Sequence, residues 1–221
     1  CFSIAIMKGL IAAGGHGTRL RPITYTRNKH LIKIGNKPLI FFAIENIIQA
    51  GIDNIGMVIR EDDAFIEEYV GNGTRWGCKI TFIPQSAPKG LAHVVKVARD
   101  FLGKEKFVFY LGDNILKGGI DPYFKEFKRL KSHCHILITP VMDPRPFGVP
   151  TFDKKDPRLI VKLTEKPKRP ASKYALTGIY FFDHNVFDAI RTLKPSWRGE
   201  LEITEAITHL NRPTGHWHRS R

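Results

Sequence analysis

Cysteine is scarce: Cys1, Cys78 and Cys134 are the only three in 221 residues. The number is odd, no CxxC occurs, and the spacing suits neither a disulfide framework nor a zinc knuckle. A reducing, cytoplasmic setting is therefore expected. Long hydrophobic runs are also missing. No apolar stretch approaches the ~18 residues of a membrane span, and the longest candidate, Pro38 to Ile44, is cut off by Glu45. A membrane partner is not expected. The apolar residues 1–6 lack a basic n-region and a cleavage site, so they are read as lying upstream of a start at Met7. Acid is the third shortage. Twenty-one Asp and Glu face 35 Lys and Arg, a net charge of +14. Such a surplus suits a polyanion: nucleic acid, an anionic surface or a phosphorylated small molecule. With 43% hydrophobic residues the chain is rich enough to build a core.

What is present alternates. Lys8 to Ala13 reads as a buried strand, followed by the loop Gly14-Gly-His-Gly-Thr-Arg-Leu-Arg-Pro22. Pro38 opens a helix in which Ile40, Ile44, Ile47 and Ile48 recur at helical spacing, with Gly51 as its C-terminal cap. Strands are predicted at 54–59, 79–83 (ended by Pro84) and 106–111, with helices at 62–70 and 91–101 between them. This βαβ rhythm implies a mostly parallel or mixed, Rossmann-like sheet with helices on both faces. The second half carries a helix at 123–130 and strands near 135–141, 149–152, 160–163 and 175–182. Helices near 185–193 and 200–210 follow. One domain over 7–210 is expected, in two functional halves at about 7–115 and 116–210.

The glycine loop follows a strand, where open α/β sheets bind ligands. Glycines there let backbone N–H groups approach phosphate oxygens. The dinucleotide fingerprint would need a third glycine where Leu20 stands, and the Gly-Lys-Ser/Thr of an NTPase loop is absent. Instead the loop has Arg19, Arg21 and then Lys29, cations suited to a polyphosphate with charge developing on its leaving group. On these counts alone a structural glycine turn with exposed arginines stands equally open.

The full string, Gly14 to Thr24 with Lys29 and Lys37-Pro38, resembles the signature of sugar-1-phosphate nucleotidylyltransferases, and among them the glucose-1-phosphate thymidylyltransferases. Further blocks match in order: Pro84-Gln85 to Gly90-Leu-Ala, Leu111-Gly-Asp-Asn114, Asp143-Pro144 to Phe147-Gly-Val149, Glu165-Lys-Pro167, Tyr174 to Tyr180, and Pro195 to Thr204. The resemblance implies transfer of dTMP or UMP from dTTP or UTP to a hexose-1-phosphate, glucose-1-phosphate by default, with release of pyrophosphate. It implies Mg2+ as cofactor. By resemblance Arg19 and Lys29 hold the triphosphate. Ala13, Gly14, Gly15, Gly17 and Thr18 cradle it, Gln85 reads the pyrimidine, and Gly90 lets the base approach. Asp113 is the implied metal ligand, and a strand-end carboxylate suits one. Lys166 grips the sugar phosphate, Glu165 accepts from the hexose, and Phe147, Gly148, Thr177 and Gly178 shape its pocket. Arg198 is expected to pair with an acid and act structurally, with Glu200 a weaker sugar-site candidate.

The sequence departs from the family at three places. Phe147 stands where tyrosine is frequent, and Lys33 where proline is usual. Residues 211–221 read as an aberrant or truncated tail without the family's second metal carboxylate. A nucleotide-sugar-binding protein of weak or no activity is therefore the alternative. Specific nucleic-acid binding is not expected, since no reader motif accompanies the charge. A homo-oligomer is compatible with the family.

Overall fold

The computed structural model describes residues 7–15, 17, 28–129, 132–157 and 159–210, and the backbone of 219–220. The first half builds β1 (Met7–Ala12), the two-residue strands β2 (Lys33–Ile34) and β3 (Lys37–Pro38), and α1 (Leu39–Gln49). It continues with β4 (Asn54–Arg60), α2 (Ala64–Val70), β5 (Lys79–Gln85), α3 (Leu91–Val97), α4 (Arg99–Leu102) and β6 (Lys106–Leu111). The second half adds α5 (Asp121–Arg129), β7 (Cys134–Pro140), β8 (Gly148–Phe152), β9 (Ile160–Glu165) and β10 (Tyr174–Phe182). It ends with α6 (Val186–Arg191), α7 (Ile203–Leu210) and β11 (Arg219–Ser220).

Seven strands form one mixed sheet in the order β11-β7-β10-β6-β1-β4-β5. β1 pairs parallel with both β4 and β6, and β4 with β5, while β10 lies antiparallel between β6 and β7. Strand order therefore reverses direction at β1, the switch point at which such sheets open a crevice beyond their carboxyl ends. α1, α2 and α5 bury Ile40, Ile44, Ile66 and Phe127 on one face. α3, α6 and α7 bury Val95, Ile190 and Ile207 on the other. Both faces of the central strands are covered, so their residues read as continuous apolar runs: Phe107 to Tyr110 are fully buried.

Two expectations shift, and the second half adds a separate hairpin. Pro84 does not end its strand, because β5 is the sheet's edge and a missing N–H costs nothing on the open side. The helix predicted over 91–101 breaks at Ala98 into α3 and α4. β8 and β9 leave the main sheet and pair only with each other. Of the predicted tail, only the backbone of Arg219–Ser220 belongs to the described residues, paired parallel with β7.

Candidate active site

The carboxyl ends of β1, β5 and β6 converge on a cleft of about 270 Å³. Gly14, Gly15, Lys29, Gln85, Gly90 and Asp113 line it. Ala13 sits beneath it, fully buried, its N–H donating to Val58 O at 2.8 Å. Lys29 Nζ donates to Asp113 Oδ2 at 2.5 Å. A Cβ on Gly15 would lie 2.8 Å from Lys29 Cε, so the glycine makes the space in which the ammonium lies. Burial alone would raise the Asp113 carboxyl, but the charge and hydrogen bond of Lys29 outweigh it and hold it below the usual range. Asp113 is thus ionised at neutral pH. Gly17 has a left-handed φ of 64°. Thr18, Arg19 and Arg21 lie outside the described residues, so their placement as phosphate ligands stays with the sequence argument.

Lys29 stands in a 3₁₀ turn over Lys29–Leu31 that is pinned from both sides. The Asn28 side-chain oxygen accepts from the His30 backbone N–H at 2.8 Å and lies 2.7 Å from His30 Nδ1, while its amide donates to Asp63. Burial, then the charge of Lys29, pushes the His30 imidazole down to about 3, so it is neutral. The Asn28–His30–Asp63 set was invisible in the sequence, since its partners are 35 residues apart with no shared motif.

Gly90 also has a partner inside the chain. Its φ is 94°, and a Cβ there would meet Leu201 O at 2.5 Å. The glycine lets the start of α3 pair with the segment before α7. Leu201 N–H donates to Lys89 O at 2.8 Å and Ala92 N–H to Leu201 O at 3.1 Å.

The predicted sugar-phosphate residues assemble on the β8–β9 hairpin. Lys166 N–H donates to Phe147 O at 2.9 Å, joining Phe147-Gly148 to Glu165-Lys166. Among the described residues Lys166 is the only non-glycine with positive φ, 42°, a strained backbone of the kind held at functional positions. Its side chain opens toward a basic surface recess with Arg145 and Lys168. Thr177 and Gly178 sit elsewhere, at the bulge in β10, where Asn114 Nδ2 donates to Thr177 O. They border the Asp113 end of β6 rather than the hairpin.

Arg198 connects the two groups. It bonds Glu200 Oε1 at 2.5 Å and Glu202 Oε1 at 3.2 Å and comes within 3.9 Å of Glu165 Oε1. Glu200 also lines the Asp113 cleft. Burial first, then the like charge of Glu202, raises the Glu165 carboxyl, while Lys166 and Arg198 oppose the rise. One pairing was expected for Arg198; three carboxylates gather around it, and Glu202, at the second Glu of Glu-Leu-Glu, had no role in the sequence reading.

Comparison with known proteins settles the family. The family described as nucleotidyl transferase matches residues 8–214. The chain belongs to that family. Its relatives include a glucose-1-phosphate thymidylyltransferase of Streptomyces antibioticus, 47% identical over 92% of this chain and 57% of the relative. Another is the low-salt glycan biosynthesis nucleotidyltransferase Agl11 of Haloferax volcanii, 44% identical over 92% of this chain and 57% of its own length. The chain thus spans a little over half of each. A solved structure from Bacillus anthracis, assigned as a glucose-1-phosphate thymidylyltransferase and holding sucrose, superposes with a TM-score of 0.88 at 39% identity. It covers 97% of this chain and 87% of that one. The cleft at the ends of β1, β5 and β6 lies where the sheet reverses, the position at which open α/β sheets bind ligands. Among the described residues no helix is long and apolar enough to cross a membrane, and no cluster of three or more His, Cys, Asp or Glu forms a protein-only metal cage.

Proposed function

We propose that the chain transfers a nucleotidyl group from dTTP or UTP to a hexose-1-phosphate, with glucose-1-phosphate as the default acceptor. The observation that carries this is the Lys29–Asp113 pair in the cleft beside Gly15 and Gln85. An oxygen of the sugar phosphate attacks the α-phosphorus, the Pα–O bond to the β-phosphate breaks, and pyrophosphate leaves. Such a displacement asks for positioning and charge neutralisation rather than covalent chemistry. In this reading residues 7–115 hold the nucleotide and 116–210 the sugar phosphate. Gly14, Gly15 and Gly17 offer backbone donors, and Arg19 and Lys29 offer cations to the departing phosphates. Gln85 meets the pyrimidine edge. Lys166 takes the sugar phosphate, with Glu165, Phe147 and Gly148 beside it, and Thr177 and Gly178 close the far wall.

Asp113 would hold Mg2+. The donor set fits: one ionised carboxylate is what Mg2+ takes when substrate phosphates and water complete its shell. The ion would supply charge neutralisation at those phosphates.

The test is pyrophosphate release with Mg2+, crossing five nucleoside triphosphates with four hexose-1-phosphates. Turnover confined to dTTP or UTP is expected. Nucleotide binding without turnover in any pair would replace this reading with a binding protein.

Lys166 gives a second check. Lys166→Gly relieves the left-handed backbone and is expected to raise stability by about 1 kcal/mol. The same change removes the ammonium and raises KM for the sugar phosphate at least tenfold, roughly one charge-assisted hydrogen bond. Thermal melts and steady-state kinetics read the two effects. A KM left unchanged would remove Lys166 from the site.

A further inference from the structure

We propose that His93 is a specificity-determining positioning residue: it fixes the Gln85 amide so that Oε1 faces the cleft, selecting uracil and thymine over cytosine. The inference rests on the nucleotidyl-transfer reading above and goes beyond it in naming what sets the base class.

Gln85 ends β5 and is 6% exposed. Its Nε2 lies 2.7 Å from His93 Nδ1 on α3. Its Oε1 points the other way, 3.2 Å from where a Cβ on Gly14 would sit, and has no hydrogen-bond partner among the described residues. A glutamine amide carries a donor on one side and an acceptor on the other, and half a turn exchanges them. Set against N3 of the base, the exchange decides which base fits. Uracil and thymine carry a proton on N3 and need an acceptor; cytosine N3 is itself an acceptor and needs a donor. Gln85 alone could serve either.

His93 removes the choice in the tautomer that matches this amide orientation. With its proton on Nε2, the neutral imidazole accepts at Nδ1, and only the amide NH2 can answer it. Burial, then the charges of Lys89 and Lys96, lowers the imidazole pKa and favours this neutral ring. The ring is also held in place. Leu201 clamps the start of α3 through Lys89 O and the Ala92 N–H, so His93 keeps its reach to Gln85.

The experiment measures binding of dTTP, UTP and CTP to the full chain by calorimetry, with kinetics alongside. Wild type is expected to favour UTP and dTTP over CTP by about 100-fold, toward the upper end of what one unsatisfied buried hydrogen-bonding group costs. His93→Leu removes the acceptor and lowers that ratio at least about tenfold, through KM rather than kcat. His93→Lys, a donor with no acceptor, draws Oε1 toward itself, turns Nε2 to the cleft and shifts preference toward CTP. It also decides the matter should the leucine variant fail to fold. A ratio unchanged in the folded variants, or a wild type that prefers CTP, overturns the role of His93 while leaving nucleotidyl transfer intact. A wild type that binds no pyrimidine triphosphate removes both.

Discussion

Lys29→Met is expected to lower kcat/KM for pyrophosphate release by about 10²–10³-fold, the usual cost of deleting one group aimed at developing charge. Methionine keeps the length of the side chain and so leaves the space beside Gly15 filled. What it removes is the cation beside Asp113. Stability also falls. The folded Asp113 pKa is depressed, so the pair stabilises the protein above the unfolded carboxylate pKa, and that contribution is lost as pH falls through the folded value. In Lys29→Met the contribution is absent at neutral pH, and burial is opposed only by the smaller effects of His30 and a backbone hydrogen bond. The expected loss is about 1–3 kcal/mol at pH 7, shrinking toward pH 3. Asp113→Asn separates charge from packing: it should reduce turnover comparably while leaving Lys29 in place. Steady-state rates and melts at both pH values read these outcomes. Activity within tenfold of wild type in Lys29→Met would show that the cleft is not where chemistry occurs.

Arg198→Met should be the most destabilising exchange in the second half, about 2–4 kcal/mol at pH 7.5. Arg198 is the shared partner of Glu165, Glu200 and Glu202, and its side chain is only 20% exposed. Without it three carboxylates crowd together, and Lys166 lies near only Glu165 among them. The pH dependence runs opposite to that of Lys29. Because the folded Glu165 pKa is raised, its charge detracts from stability at neutral pH, and the penalty fades as pH falls through the folded value. Removing Arg198 enlarges this penalty, so the deficit of the variant should shrink by pH 5. Urea midpoints at the two pH values measure it. Equal deficits at both would trace the loss to packing and not to the acids.

How far the sequence anticipated this depends on the kind of signal. β6 was legible to the residue, because an unbroken apolar run bounded by Lys106 and Gly112 suits only a buried strand. Pro84 misled because edge and centre cannot be told apart before strand order is known. Lys29, Gln85 and Asp113 came from motif order, and the fold does bring them to one cleft. Gly90 came from the same motif order, but its close approach to Leu201, more than a hundred residues away, did not. The His30, His93 and Glu202 roles are pairings between side chains on different elements, and no local pattern announces them.

The placement of β10 bears on how the molecule is made. β6 completes one edge of the parallel core, yet its partner on that side, residues 174–182, is synthesised some seventy residues later. At about 5–20 residues per second, a growing chain exposes the open edge of Phe107 to Tyr110 for several seconds. Such an edge is a template for pairing with other chains. Folding of the nascent protein is therefore a race between the arrival of β10 and self-association, and the cleft beyond β1 waits longer still, for Leu201 to close on Gly90.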